Sequence, residues 1–122
     1  MKFLQVSKNG TPLFRAGQAD NYFLRLRGLI GRDVETLGGL WIRPCSQIHT
    51  CFMSCAIDVV YLSKDRSILR IDPSLAPGHF FPAVRHARSV LELPAGAAGR
   101  HGLQPGDRLE FTPLPSDRGI NN

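Results

Sequence analysis

Between residues 45 and 58 the run CSQIHTCFMSCAID carries three cysteines, a histidine, a methionine and an aspartate. Two chemistries could use them. A thiol nucleophile needs a base within about 3 Å and a third group to orient that base, and Cys45, His49 and Asp58 are the available trio. A structural metal site normally needs four ligands at paired Cys-x-x-Cys spacing, whereas Cys45, His49, Cys51 and Cys55 are irregularly spaced. On a straight strand His49 and Cys51 share a face about 6.5–7 Å apart, close enough to pinch one ion. Cys51 and Cys55 would lie roughly 13 Å apart, beyond a disulfide or a shared ion. No metal and no cofactor is therefore assigned. The simpler reading makes the cysteines small apolar fillers, His49 a partly buried ring bonded to backbone, and Asp58 a brace at the start of the strand over 59–62.

Further binding candidates lie outside this run. Arg27 precedes Gly28, which lets the backbone turn sharply beside the guanidinium. If buried, Arg27 would take Asp58 or Glu92 as its carboxylate and fasten a helix to the sheet. Glu92 alternates with Leu91 and Leu93 in VLELP, so it could point to water. Asp107 in QPGD belongs to a turn, bonding its own backbone. His86 and His101 are isolated and read as solvated. His79 and Phe80 belong to HFF, whose two aromatics in a loop suit the cover of a ligand groove or a partner surface. The binding set is Arg27, His49, Asp58, His79, Phe80 and Glu92.

The elements that must position these residues are mostly strands. Apolar stretches flank Asn9-Gly10, a pair that supplies the positive φ angles of a two-residue hairpin. DNYFLRLRGLIGR predicts a short helix near residues 20–30, with Asp20 or Asn21 as cap. A strand over 40–42 is interrupted by Pro44. The apolar run 48–62 reads as core strand, turning at Lys64-Asp65-Arg66-Ser67 into a partner over 68–71. Residues 72–86, with three prolines and a glycine, predict a long loop. A strand over 90–93, a helical turn near 96–101 and a closing strand over 108–112 follow. The expected fold is mainly β: a compact β-sandwich or partly closed barrel, jelly-roll-like, forming one domain over 1–112 with a flexible tail over 113–122.

RLRGLIGR (25–32), GGLWIRPCSQIHT (38–50), MSCAIDVVYL (53–62) and VLELPAGAAGRHGLQPGDRL (90–109) resemble the domain-of-unknown-function 192 family, in that family's order. The resemblance implies a sandwich or jelly-roll fold and no particular reaction. Its pattern falls on Arg27, Gly28, Leu29, Pro44, Cys45, His49, Thr50, Met53, Ile57, Asp58, Glu92, Gly96, Gly106 and Asp107. Cys51 and Cys55 depart from it, so any role for those two thiols would be private to this chain.

A formal charge of +5, from twelve arginines and three lysines against ten acids, could favour phosphate or acidic partners. The arginines are scattered along the chain, which argues against nucleic acid as the partner. Three cysteines fit a reducing compartment better than a disulfide framework. No apolar run approaches the roughly 20 residues of a membrane span, and MKFLQVSKNG turns polar too soon for a signal peptide, so the cytoplasm is expected. With no complete triad, phosphate loop or paired-carboxylate motif, the leading expectation is a non-catalytic binding or accessory module. Its groove would lie beside the 72–86 loop and take a protein or small ligand. A small enzyme built on Cys45, His49 and Asp58 comes second, and an arginine-driven binder of anionic polymers third.

Overall fold

A computed structural model describes residues 2–19, 38–51 and 53–115. The helix expected near 20–30, and Arg27 with it, lies outside the described residues. Seven strands form one sheet: β1 (Lys2–Lys8), β2 (Thr11–Ala19), β3 (Leu40–Ile42), β4 (Ile57–Leu62), β5 (Ile68–Leu75), β6 (Ser89–Pro94) and β7 (Leu109–Pro113). One helical turn, α1 (Ala97–Arg100), follows β6. The spatial order is β5-β4-β6-β3-β2-β1-β7, with β2 and β3 parallel and every other pair antiparallel. The sheet is not closed into a barrel. Its two edges are strapped at one corner, where Ile68 N–H donates to Asp107 O at 2.7 Å and Leu109 N–H to Arg66 O at 3.0 Å.

Local chemistry accounts for much of this. Asn9 (φ 52°) and Gly10 (φ 77°) make the β1–β2 hairpin with both central residues left-handed. Gly38, at φ +84°, passes so close to β2 that a Cβ there would lie 2.5 Å from Arg15 O. Strands β4 and β6 are buried at all six positions each, and they sit side by side in the sheet. Their alternate residues feed two apolar clusters. Val60, Leu62, Leu91 and Leu93 pack with Leu4, Val6, Trp41 and Leu109, beneath α1. Ile57, Val59, Tyr61 and Val90 pack on the other face with Leu40, Ile42 and Ile48, and with Phe81 and Val84 of the loop.

Three expectations about the elements need correction. The described residues of 48–56 form no strand; β4 begins at Ile57, and a bridge pairs His49 with Phe80. The backbone groups of 48–50 bond instead to the 78–81 loop, through Thr50 N–H to His79 O, Gly78 N–H to Thr50 O and Phe81 N–H to Ile48 O. Residues 72–75, expected as loop, continue β5; an edge strand tolerates Pro73, which has no N–H to donate. The cysteines are not fully buried core filler: Cys45 is half-buried and packs against the core, Cys51 is half-buried, Cys55 is exposed, and none is in a disulfide. At the C-terminus, β7 ends at Pro113 and Leu114 N–H donates to Phe3 O.

Asp58 fastens these elements together. The β4–β5 register slips between Ile57 and Val59, leaving an extra residue in β5 near Ser74, whose φ is 50°. Asp58, 1% exposed, accepts the displaced Ser74 N–H on Oδ1 and the Ala98 N–H of α1 on Oδ2, both at 2.9 Å. In the variant Asp58→Asn an amide NH2 meets one of these donors. Chemical denaturation should show a loss of about 3 kcal/mol; an unmoved urea midpoint would show that the brace carries no stability.

Candidate functional site

The candidate trio does not assemble. In the regular β4–β6 pairing Asp58 lies opposite Leu93 and Val59 opposite Glu92, so Asp58 and Glu92 are on opposite faces of the sheet. Asp58 belongs to the face carrying α1, with both carboxylate oxygens occupied by backbone N–H groups. Cys45 packs against the other face, where its thiol lies 3.1 Å from Gln47 O. His49 is on the irregular segment over that same face, its ring tilted against Phe80 with centroids 5.6 Å apart. Its Nδ1 is buried and has no hydrogen-bond partner among the described residues, contrary to the backbone bond expected for it. Among the described residues no three His, Cys, Asp or Glu side chains are placed to hold a metal ion.

Thr50 holds the loop over this face, a task that residue type and spacing alone did not reveal. It is fully buried. Its Oγ1 donates to Ala76 O at 2.7 Å and accepts His79 N–H at 3.0 Å, while its backbone joins His79 and Gly78. His79 is exposed, with its ring 6.2 Å from that of Phe81, and Phe80 stands 78% exposed. Two hints were legible: a hydroxyl two residues after Ile48, in phase with an apolar side chain, and the place of Thr50 in the family pattern.

Glu92 is the larger correction. It does not point to water: it is 1% exposed, lies between Leu40 and Val59 on neighbouring strands, and its Oε1 has no partner among the described residues. An interior strand has no solvent face here, so alternation with leucines exchanged one buried face for another. Burial pushes the Glu92 carboxyl up to about 8. Tyr61, diagonal to Glu92 on the adjacent strand, is also buried with its hydroxyl unpartnered among the described residues. Its phenol is pushed up to about 12, by burial first and then by the charge of Asp72. Tyr61 pairs across β4–β5 with Arg70, which bonds Asp72 at 2.6 Å.

Polar groups thus run inward along one face, from the Arg70–Asp72 pair at the edge through Tyr61 to Glu92. At the outer end, the expected groove beside the loop is present. Arg70 and Asp72 of β5 face Phe81, Pro82, Ala83, Val84 and Arg85 across a cavity of about 220 Å³. Tyr61 and Glu92 lie buried behind this groove and do not line it. They offer no activated nucleophile, which would need a base in contact.

Fold and site together define a β-rich single domain built around a mixed sheet, with a loop-walled groove at one edge and no assembled catalytic set among the described residues. The chain belongs to the DUF192 family, described as uncharacterized ACR, whose model matches residues 4–111. It is 28% identical over 113 residues to a UPF0127 protein of Pyrococcus furiosus, covering 88% of this chain and 96% of that protein. Among solved structures it is similar to a protein of unknown function from Novosphingobium aromaticivorans, with TM-score 0.75 and 23% identity over 90% of this chain and 84% of that one. A Sinorhizobium meliloti protein that carries the provisional name of a transcription regulator has TM-score 0.73 and 23% identity, over 90% and 92% of the two chains. At this identity the structural likeness shows the fold alone. The names of these relatives state no catalytic role. Among the described residues no helix is long and apolar enough to cross a membrane.

Glu92 makes stability depend on pH with a definite sign. Its carboxyl holds a proton in the folded state up to about 8, against an ordinary value of 4.5, so between those limits the folded state binds more protons than the unfolded. The contribution is complete below the ordinary value and is lost as pH rises through about 8. Urea unfolding of wild type and Glu92→Gln from pH 5 to 8.5 isolates this group, because other titrations cancel in the difference. Wild-type stability relative to the variant should fall by up to about 1.4 kcal/mol per pH unit. A difference independent of pH would mean that Glu92 is ionised and paired.

Proposed function

We propose that this protein is a non-catalytic binding module, working as one β-rich domain over residues 1–112. Its ligand seat is the groove between edge strand β5 and the loop. The observation that carries this reading is the 220 Å³ cavity itself, with Phe81, Pro82 and Val84 as an apolar wall and Arg85 as a charge beside it. Arg70 is already matched by Asp72. Such a lining suits an apolar group with an adjoining anionic one, as a peptide side chain next to a carboxylate or a small organic acid would present. His79 and the exposed Phe80 extend the aromatic surface along the same loop, and Thr50 pre-orders that loop so that binding need not order it. Three thiols outside any disulfide support a cytoplasmic setting.

The enzyme reading, with Cys45, His49 and Asp58 as the machinery, has against it the separation of Asp58 onto the opposite face. A screen of aromatic carboxylates by amide chemical shifts tests both. Hits should perturb residues 70–72 and 81–85, and Val84→Asp with Arg85→Ala should weaken them at least tenfold. Rapid alkylation of Cys45 by iodoacetamide at neutral pH, with hits gathered around His49, would overturn the binding reading.

A further inference from the structure

One end of the sheet gathers charge that the linear sequence disperses. There β3 and β4 finish and β6 begins, since Leu62 pairs with Ser89 and Ile42 with Val90. Arg43, Lys64, Arg66 and Arg88 line a cleft of about 230 Å³, with Trp41 as one wall and Ser63 and Ser89 adding hydroxyls. Among the described residues no carboxylate lines it. The ion pairs among the described residues are Lys8–Asp107 and Arg70–Asp72, so none of these four cations has an acidic partner there. The nearest acid in sequence, Asp65, is engaged with Ser63 Oγ and Ser67 N–H, and lines the neighbouring cleft instead.

The roots of the arginines are fixed. Arg43 N–H donates to Ala19 O, Arg66 N–H to Ser63 O, and Arg88 N–H to Leu62 O, so each side chain springs from a bonded strand end or turn. Two guanidinium groups are drawn to one indole: Arg43 lies 4.5 Å and Arg66 5.1 Å from the Trp41 ring centroid. Trp41 is itself held by stacking on Phe111 at 3.9 Å and 14°. It is 2% exposed, and its Nε1 donor has no acceptor among the described residues. Like charges held this close repel, and an oxyanion between them removes the repulsion while taking several charge-assisted hydrogen bonds.

The geometry points to a binding site for a compact phosphate-type oxyanion, a phosphate or pyrophosphate group carried by a small molecule, gripped by Arg43, Lys64, Arg66 and Arg88. Size and flanking charge decide against a polymer. The cleft has the volume of roughly eight waters at ~30 Å³ each. The adjoining cleft, through which a strand of nucleic acid leaving past Arg66 would run, sets Arg108 against Asp65 and Glu110 and so adds no net positive charge. This site shares no residue with the groove at Phe81–Arg85, and it goes beyond that binding reading without depending on it.

The chain has one tryptophan, so the Trp41 indole N–H is a single, assigned reporter. Titrating inorganic pyrophosphate at constant ionic strength should give a saturable shift of that resonance, which sodium chloride does not reproduce. Charge reversal at exposed Arg88, Arg88→Glu, should raise the dissociation constant at least tenfold while the amide spectrum of β1 and β2 stays unchanged. Arg43→Gln should act in the same direction; if it perturbs the Trp41 stack, Arg88→Glu alone decides. A shift no larger than the chloride control, or undiminished in Arg88→Glu, would overturn the site. Tighter binding of a mixed-sequence single-stranded oligonucleotide, with shifts spreading over residues 108–112, would overturn the compact-anion assignment. Loss of ligand binding at residues 81–85 leaves this outcome untouched, so the two readings fail separately.

Discussion

Strands β4 and β6 are buried along their whole length, and the rest of the molecule is arranged to cover them on both faces. One cover is regular: α1 packs over the central strands, and β1 and β7 curl round to bring Leu4, Val6 and Leu109 into the same cluster. The other is made in part from irregular chain, residues 43–51 and 76–88. Irregular chain can lie on a core only if its own polar groups are paired. Thr50 does much of that pairing, joining the two segments through its hydroxyl, its N–H and its carbonyl.

The same double burial explains the different fates of two acids on adjacent strands. Asp58 faces the displaced N–H of a bulge and the start of a helical turn, and each oxygen finds a donor at 2.9 Å. Glu92 faces Leu40 and Val59 and finds none for Oε1 among the described residues, so the neutral acid is favoured there. A stabilising brace and a carboxyl whose Oε1 has no partner among the described residues arise from neighbouring strands because one points to each face. A thiol–histidine–carboxylate relay needs its three members on one side, and this sheet divides them.

Charge is partitioned as well. Asp58 and Glu92 are in the interior, while Asp65, Asp72 and Asp107 are tied to a local turn or a single cation. Arg43, Lys64, Arg66 and Arg88 keep their charge uncompensated at one end of the sheet among the described residues. An excess of +5 spread over 122 residues says little about recognition. Concentrated in one cleft beside a stacked tryptophan, it has a direction.

Local chemistry by itself determined the elements whose causes are local. Asn9-Gly10 can turn a hairpin whatever surrounds it, the alternation around 90–93 marks a strand, and Asp107 bonds Gln104 N–H within its own turn. The mainly β character and the groove beside the 72–86 loop were legible for the same reason, since prolines and glycines punctuate the chain regardless of context. Tertiary structure alone decided which alternation had a wet side. A period of two says that Glu92 and Leu91 face opposite ways, but only the flanking strands and their covers fix what each face meets. It also ended the strand reading of residues 48–50, where pairing with a loop some 30 residues away outweighed β propensity. And it brought Arg43, Arg66 and Arg88 into one cleft, a proximity set by strand order, which no spacing along the chain encodes.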